Sequence, residues 1–286
     1  AICIGPAEAK DSYLNEAAII AAAELVGADA IYPGYGFLAE NPSFAEKCNQ
    51  SGFKFVGPDS KVIEIMGDKI RAKELIESLG VPVVPGYTGD IKDQEHIEGI
   101  VEEIGYPVIV KASAGGGGKG MRVVQNKGEL WDSVVSAQNE AEFAFGNGEV
   151  FIEKYLKKPR HIEVQVFGDG KGKVVHLYSR DCSLQRRYQK IVEEAPARNL
   201  PEDKLSNIQE ICVKACSELK YEGAGTLEFL YENNEFYFIE MNTRIQVEHT
   251  VTEMITGVDL VQAQLSLALE GKFDLDQEKL RINGHA

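Results

Sequence analysis

No run of about 18 apolar residues occurs in the 286-residue chain, so no membrane-spanning helix is expected. The densest apolar patch, 17–25, carries Glu24 and follows Glu16. There is no CxxC pair. The five cysteines, Cys3, Cys48, Cys182, Cys212 and Cys216, are odd in number, and the last two sit one helical turn apart in an apolar pattern. A disulfide framework and a zinc site are therefore both poorly supported. A reducing compartment fits better: the cytoplasm, or the mitochondrial matrix in a eukaryote. No internal repeat, low-complexity linker or signal peptide is visible in these residues. Basic residues are scarce, with 30 Lys+Arg against 45 Asp+Glu and a net charge of −15. Such a surface repels phosphate backbones and argues against general nucleic-acid binding, while leaving room for one local basic pocket. The chain lacks an initiator Met and opens on Ala1-Ile2-Cys3-Ile4-Gly5, which reads like the inside of a strand. A fragment beginning inside a domain is expected.

What is present reads as mixed α/β, about two domains by length. Helical spacing covers 13–26, and Ala30-Ile31-Tyr32 reads as a buried strand before the turn-rich Pro33-Gly34-Tyr35-Gly36. A helix over 42–50 and a strand over 53–56 follow, an alternation that predicts a parallel α/β layer. An amphipathic helix over 68–79 stops at Gly80. Pro85-Gly86 and Gly89 mark 83–89 as a hinge. Helix 94–104, strand 107–111, strand 121–124 and helix 129–142 form a compact unit. Long strands are expected over 150–155, 161–167 and 173–180, then a helix over 203–219. A hairpin over 225–231 and 235–241 turns at Asn233-Asn234, and a helix spans 259–269.

The glycine tract Ala112-Ser113-Ala114-Gly115-Gly116-Gly117-Gly118-Lys119-Gly120 formally contains G-x-G-x-x-G. A dinucleotide fingerprint needs a helix next, but Met121-Arg122-Val123-Val124 is strand-like. A Walker A loop fails because Gly120, not Ser or Thr, follows Lys119. Two readings stay open. One is a strand–loop–strand lid whose N–H groups approach phosphates, with Lys111 adding charge. The other is a plain hairpin tip.

Glu228 lies in the apolar strand Thr226-Leu227-Glu228-Phe229-Leu230, where a carboxylate is costly unless paired or metal-bound. From Glu240 onward every second residue is polar: Glu240, Asn242, Arg244, Gln246 and Glu248. An extended chain would put all five on one face. Oxygen ligands from Glu228, Glu240 and Asn242 suit Mg²⁺, Arg244 would hold a small anion, and Glu248 would be a base. Alternatively this is an edge strand with a charged outer face, which explains Glu228 poorly. A two-residue turn at Asn233-Asn234 would pair Glu228 with Ile239, so shared ligation demands an odd loop or a bulge. The cationic segment 180–190 is either an anion-binding edge or a solvated run bridged to Glu193-Glu194, the second being favoured.

Together these pieces resemble an ATP-grasp enzyme, and more closely the biotin carboxylase component of the biotin-dependent carboxylases. The resemblance covers essentially the whole chain. It rests on Tyr32-Pro33-Gly34-Tyr35-Gly36-Phe37-Leu38-Ala39-Glu40-Asn41, Met66-Gly67-Asp68-Lys69, Val110-Lys111-Ala112 with the glycine tract, and Glu153-Lys154-Tyr155-Leu156. Pro159-Arg160-His161, Gln185-Arg186-Arg187 with Gln189-Lys190, and Glu193-Glu194-Ala195-Pro196 extend it. Its most specific part is Glu240-Met241-Asn242-Thr243-Arg244-Ile245-Gln246-Val247-Glu248-His249.

The resemblance implies roles. Lys69, Lys111 and His161 would contact ATP, Gly117 and Gly118 would close over its phosphates, and 153–156 (Glu153, Lys154, Tyr155, Leu156) would read adenine, largely through backbone groups. Glu228 and Glu240 would hold Mg²⁺ or Mn²⁺ beside Asn242. Lys190, Arg244, Gln246 and Val247 would bind bicarbonate, and Glu248 would deprotonate it. Bicarbonate would attack the γ-phosphate of ATP to give carboxyphosphate, whose CO₂ carboxylates N1 of carrier-bound biotin. The implied partners are a biotin carboxyl carrier and a carboxyltransferase acting on acetyl-CoA, propionyl-CoA, methylcrotonyl-CoA or pyruvate, with a homodimer or a larger complex. The implied architecture is α+β overall. A partial parallel α/β pre-ATP-grasp domain spans 1–66 and a linker helix region 67–83. The lid subdomain spans 84–152, and the ATP-grasp core with the start of a C-terminal region spans 153–286. Two positions depart: Tyr188 stands where the family often has His, a nucleotide contact, and Thr250 follows His249 where Pro is usual. The family also has an N-terminal segment before residue 1 and a biotin-side arginine beyond Ala286, so truncation at both ends is expected. Another ATP-grasp ligase and a regulatory nucleotide-binding domain are the competing readings. The Lys190, Arg244, Gln246 and Glu248 set argues against the first, and the intact carboxylates with Lys111 against the second.

Overall fold

A computed structural model describes residues 1–113, 121–187 and 189–286. Helix α1 (Glu16–Val26) begins where the Asn15 side chain accepts the Ala18 N–H, which leaves Tyr13 and Leu14 outside the helix that their spacing suggested. It ends at Gly27, whose φ of 64° is left-handed. Strand β1 (Ala30–Ile31) pairs in parallel with β2 (Lys54–Phe55), and α2 (Pro42–Gln50) crosses between them from an Asn41 cap. Phe44, Cys48, Phe55 and Ile63 pack beneath this layer. Residues 60–67, unassigned from the sequence, form α3 (Ser60–Gly67) on an Asp59 cap. Asp68 then caps α4 (Lys69–Ser78) by accepting from Ile70 and Arg71 N–H.

A second, antiparallel sheet has the order β3-β6-β4-β5. It comprises β3 (Gly86–Tyr87), β4 (Val108–Ala112), β5 (Arg122–Val124) and β6 (Val150–Lys154), with α5 (Gln94–Ile104) and α6 (Leu130–Phe145) supplying its apolar cover. The expected hinge over 83–89 is instead stitched on both sides. Gly86 and Tyr87 pair with Glu153 and Ile152, and Val83 bridges Phe238. A Cβ on Gly86 would stand 2.4 Å from the Ile152 carbonyl oxygen, so this glycine permits close approach rather than bending.

The third sheet, β11-β10-β7-β8-β9, is antiparallel throughout. Its strands are β7 (Arg160–Asp169), β8 (Val174–Arg186), β9 (Gln189–Glu194), β10 (Glu222–Glu232) and β11 (Glu235–Asn242). Helix α7 (Glu202–Glu218) covers one face, where Ile162, Val164, Leu227, Phe229 and Phe238 meet Cys212 and Cys216. Opposite them, Phe167, Leu177 and Ala224 pack with Ile245, Leu260 and Leu267 beside α8 (His249–Thr256) and α9 (Leu260–Glu270). With both faces covered, polar residues alternating along β7 are buried rather than solvated. The basic segment is not uniform: β8 continues to Arg186 and returns as β9, with Arg180 buried and Lys190 half-buried but Arg186 and Arg187 exposed.

The β10–β11 hairpin turns at Asn233 and Asn234, both with positive φ (54° and 64°), as a two-residue turn matching strand twist requires. Glu232 faces Glu235 and Phe229 faces Phe238, but Glu228 faces Glu240. Ile239 is the extra residue of a bulge. The bulge puts both carboxylates on one face, as shared ligation demanded.

On β8, His176 donates its N–H to Gln277 Oε1 (2.8 Å), and its ring Nδ1 accepts from Tyr178 N–H (3.3 Å). Burial pushes its pKa from 6.5 down to about 4. The folded chain therefore resists the proton that the unfolded chain accepts. Its contribution is complete above about pH 6.5 and is lost as pH falls toward 4. His176→Gln should flatten the pH dependence of urea stability across that window; an unchanged slope contradicts this assignment.

Candidate active site

A cavity of about 690 Å³ lies among the three sheets, lined from Tyr35 and Gly36 through Lys69, Lys111 and Glu153 to Glu228, Glu240 and Glu248. At one end, β4 and β6 set Lys111 and Glu153 side by side, and α4 brings Lys73 in from across. The buried Glu153 carboxylate pairs with Lys111 (2.6 Å) and with Lys73, while the Phe151 ring lies 4.7 Å below the Lys73 ammonium. Burial, then the neighbouring lysines, pushes Lys73 down to about 7; burial and then Lys69 push Lys111 to about 8. Lys73 carried no mark in the sequence beyond standing one turn from Lys69 on a helix face. Glu153 is a counter-ion here. The Lys154 and Tyr155 N–H groups donate to Pro85 and Pro107 carbonyls, and Lys154 Nζ donates to Gly105 and Tyr106. Ile109, Met121, Leu156, Leu230 and Ile239 give this end apolar walls.

At the other end, Lys190 from β9 donates to Glu163, to Glu228 Oε1 (2.9 Å) and to Glu248 Oε1 (2.7 Å). Burial opposes its charge, but Glu163 and Glu228 hold its pKa far above the ordinary lysine value. His161 Nε2 lies 2.8 Å from Glu228 Oε2 and 3.4 Å from Glu163 Oε1. Burial disfavours the imidazolium, and these carboxylates outweigh it, raising His161 from 6.5 to about 9. Glu163 is fully buried, yet Arg180, His161 and Lys190 keep it ionised well below the carboxylate range.

Arg180 is also fully buried. Its guanidinium donates to Glu163 Oε2 (2.9 Å), Gln165 Oε1 (2.7 Å), Thr252 Oγ1 (3.0 Å), Thr226 Oγ1 (3.2 Å) and Gln246 Oε1 (2.7 Å). Gln246 Nε2 and Asn242 Nδ2 in turn donate to Glu228 Oε1, at 2.7 and 2.8 Å. Neither Arg180 nor Lys190 pairs with Glu193 or Glu194, so the favoured sequence reading fails for these two, while Arg186 and Arg187 are exposed as it expected. The partner of both, Glu163, was readable: like Glu228, it is a carboxylate flanked by apolar residues, here Ile162 and Val164.

The polar alternation after Glu240 is not an extended face. Strand β11 ends at Asn242, the chain bends, and α8 begins at His249. Gln246 and Glu248 are nonetheless buried and turned to the Lys190 cluster, while Val247 is 61% exposed at the cavity rim. Arg244 lines the cavity, donating from Nε to Glu40 Oε2 (2.8 Å) and from Nη2 to Asn242 Oδ1 (2.8 Å). Both polar atoms of Asn242 are thus engaged. Gly117, Gly118 and Tyr188 lie outside the described residues.

The donor set fits a divalent cation. Glu228 is satisfied by Lys190, His161, Asn242 and Gln246. Glu240, opposite it, makes no hydrogen bond or ion pair among the described residues, and burial followed by Glu228 raises its pKa. A half-buried carboxylate with no direct ion pair, facing a second carboxylate, is what a hard cation neutralises.

Arg180→Met leaves Glu163 with fewer cations than it needs, and should lower stability by about 3–5 kcal/mol in urea. Adding Glu163→Gln should recover part of that loss. A double variant as unstable as the sum of its singles contradicts the pairing.

Two family models cover nearly all of the chain: the biotin carboxylase N-terminal domain over residues 1–63, and the carbamoyl-phosphate synthase L chain ATP-binding domain over 68–276. Biotin carboxylase of Pseudomonas aeruginosa is 56% identical over 286 residues, all of this chain and 64% of that protein. The crystal structure of a biotin carboxylase–β,γ-ATP complex from Campylobacter jejuni superposes with a TM-score of 0.94 at 52% identity, over 99% of this chain and 64% of the other. The biotin carboxylase domain dimer of Hydrogenobacter thermophilus 2-oxoglutarate carboxylase, in complex with MgADP, ADP and bicarbonate, gives a TM-score of 0.91 at 52% identity, over 98% and 62%. The chain thus spans somewhat less than two thirds of the length of these relatives. It belongs to the biotin carboxylase family, joining that family's N-terminal domain to the ATP-binding domain shared with the carbamoyl-phosphate synthase L chain.

Proposed function

We propose that this chain is the nucleotide- and bicarbonate-binding part of a biotin carboxylase, catalysing ATP-dependent carboxylation of carrier-bound biotin as the first half-reaction of a biotin-dependent carboxylase. One observation carries the reading. A cationic end (Lys69, Lys73, Lys111) and a carboxylate–lysine end (Glu228, Lys190, Glu248) share one cavity. Nucleotide phosphates suit the first, and a small anion that must lose a proton suits the second.

Lys69 and Lys111 bind phosphate oxygens, and the apolar walls beside 153–156 take the base. His161, kept protonated by its carboxylates, contributes charge between the two ends. Glu228 and Glu240, with Asn242 alongside, would hold Mg²⁺ or Mn²⁺, which would supply charge neutralisation at the transferring phosphoryl group. Arg244 presents a planar fork to bicarbonate, and Lys190, Gln246 and Val247 complete its site. Glu248 takes the bicarbonate proton, and Lys190, 2.7 Å away, holds that carboxylate in place. Lys190 itself is no proton donor, because the carboxylates around it hold its proton tightly.

Residues 1–66, 67–83, 84–152 and 153–286 divide this work among first domain, linker, lid and core. A biotin carboxyl carrier, a carboxyltransferase component and a second copy of the chain are the partners that this reading assigns. The buried free thiols Cys48, Cys182, Cys212 and Cys216 suit a reducing compartment, cytoplasm or mitochondrial matrix.

ADP formation by the full-length parent protein tests the reading. It should depend on bicarbonate and rise with free biotin. Glu248→Gln should lower turnover by about 10²–10⁴ while sparing ADP binding. Nucleotide binding without bicarbonate-dependent cleavage points instead to another ATP-grasp ligase or a regulatory domain.

A further inference from the structure

The motif Tyr32-Pro33-Gly34-Tyr35-Gly36-Phe37-Leu38-Ala39-Glu40-Asn41 is long and specific, yet the roles assigned above leave most of it unused. Its Glu40 stands just before α2 in the first α/β layer and reaches the chain where β11 ends, some two hundred residues later. Glu40 Oε2 accepts from Arg244 Nε at 2.8 Å. Glu40 Oε1 accepts from the Thr243 N–H at 3.0 Å and lies 3.5 Å from Thr243 Oγ1. On its far side Arg244 donates from Nη2 to Asn242 Oδ1 (2.8 Å) and from Nη1 to the Ile245 carbonyl (3.2 Å).

We infer that Glu40 is a positioning residue: it fixes the plane and direction of the Arg244 guanidinium, so that the N–H groups Arg244 keeps free are aimed into the cavity at the anion. An arginine side chain at the end of a strand has several rotatable bonds, and a fork recognises a planar anion only when its plane is set. Asn242 and Ile245 grip the Nη atoms from Arg244's own segment. Glu40 alone grips Nε, and it simultaneously anchors the backbone N–H of the preceding residue. Both of its oxygens therefore accept from N–H groups. A glutamine at this position can satisfy only one of them, because its amide nitrogen would confront a second donor. The first α/β layer thus contributes to anion binding without touching the anion.

This inference rests on the reading of Arg244 as a bicarbonate ligand. The test uses the full-length parent protein with bicarbonate and ADP as probes. Glu40→Gln should raise the bicarbonate KM about tenfold, the size of one charge-assisted hydrogen bond, and leave ADP affinity within about twofold. Glu40→Asp, which keeps the charge, should recover part of the loss. In an Arg244→Gln background, Glu40→Gln should change the bicarbonate KM no further, since its effect runs through Arg244. An unchanged bicarbonate KM in Glu40→Gln overturns the positioning role alone. Equal losses of bicarbonate and ADP affinity overturn it in favour of a general structural role. A wild-type protein with no bicarbonate dependence overturns it together with the reading of Arg244.

Discussion

A carboxylate with no access to water can stay ionised only among cations, and Glu163 is that carboxylate in this fold. It lies at the centre of β7, closed off on both faces of its sheet, with Arg180 on one oxygen and Lys190 on the other. Each of those cations answers further demands. Arg180 ties β7, β10, α8 and Gln246 together, and Lys190 gathers Glu228 and Glu248. The irregular chain between β11 and α8, where Arg244, Gln246 and Glu248 lie, is held against the sheet through these bonds. Removing one member would leave a buried charge unpaired, which costs more than the whole group contributes to stability.

The cavity has two ends with opposite electrostatic arithmetic. Lys73 and Lys111 both pair with Glu153, and their pKa values fall toward neutrality through burial and the repulsion of neighbouring lysines. Lys190 faces three carboxylates and is held charged. The same residue type is made hungry for anions at one end and locked as a permanent counter-charge at the other. A polyanionic ligand adding charge near Lys111 stabilises the protonated form there, while the Lys190 cluster is already balanced.

The hairpin register was legible in the sequence because it reduces to parity. A two-residue Asn-Asn turn would separate Glu228 from Glu240, so a bulge was required, and Ile239 forms it. Glu163 obeyed the same rule as Glu228, a carboxylate among Ile162, Val164 and Val166. However, regular alternation reads as an outward polar face until helices are known to cover both sides. At 83–89 glycine and proline signal flexibility locally, whereas the close approach of Gly86 to β6 is revealed only by pairing. Strand β9 and helix α3 carried weak local signals. The first is polar and takes its place from pairing with β8. Glu40 was visible as part of a motif, but its partner lies in a different layer, and single-sequence periodicity carries no information about such contacts.

One bulge brings Glu228, engaged by its neighbours, face to face with Glu240, which makes no hydrogen bond or ion pair among the described residues; that this pair holds a cation for a nucleotide is the proposal to test. Crystals of the full-length parent protein grown with Mn²⁺ and ADP test it directly by anomalous diffraction. The account predicts a manganese peak bridging the Glu228 and Glu240 carboxylates beside the nucleotide phosphates. Manganese bound at the His161, Glu163 and Glu228 group, or on the phosphates with neither carboxylate in contact, would contradict it.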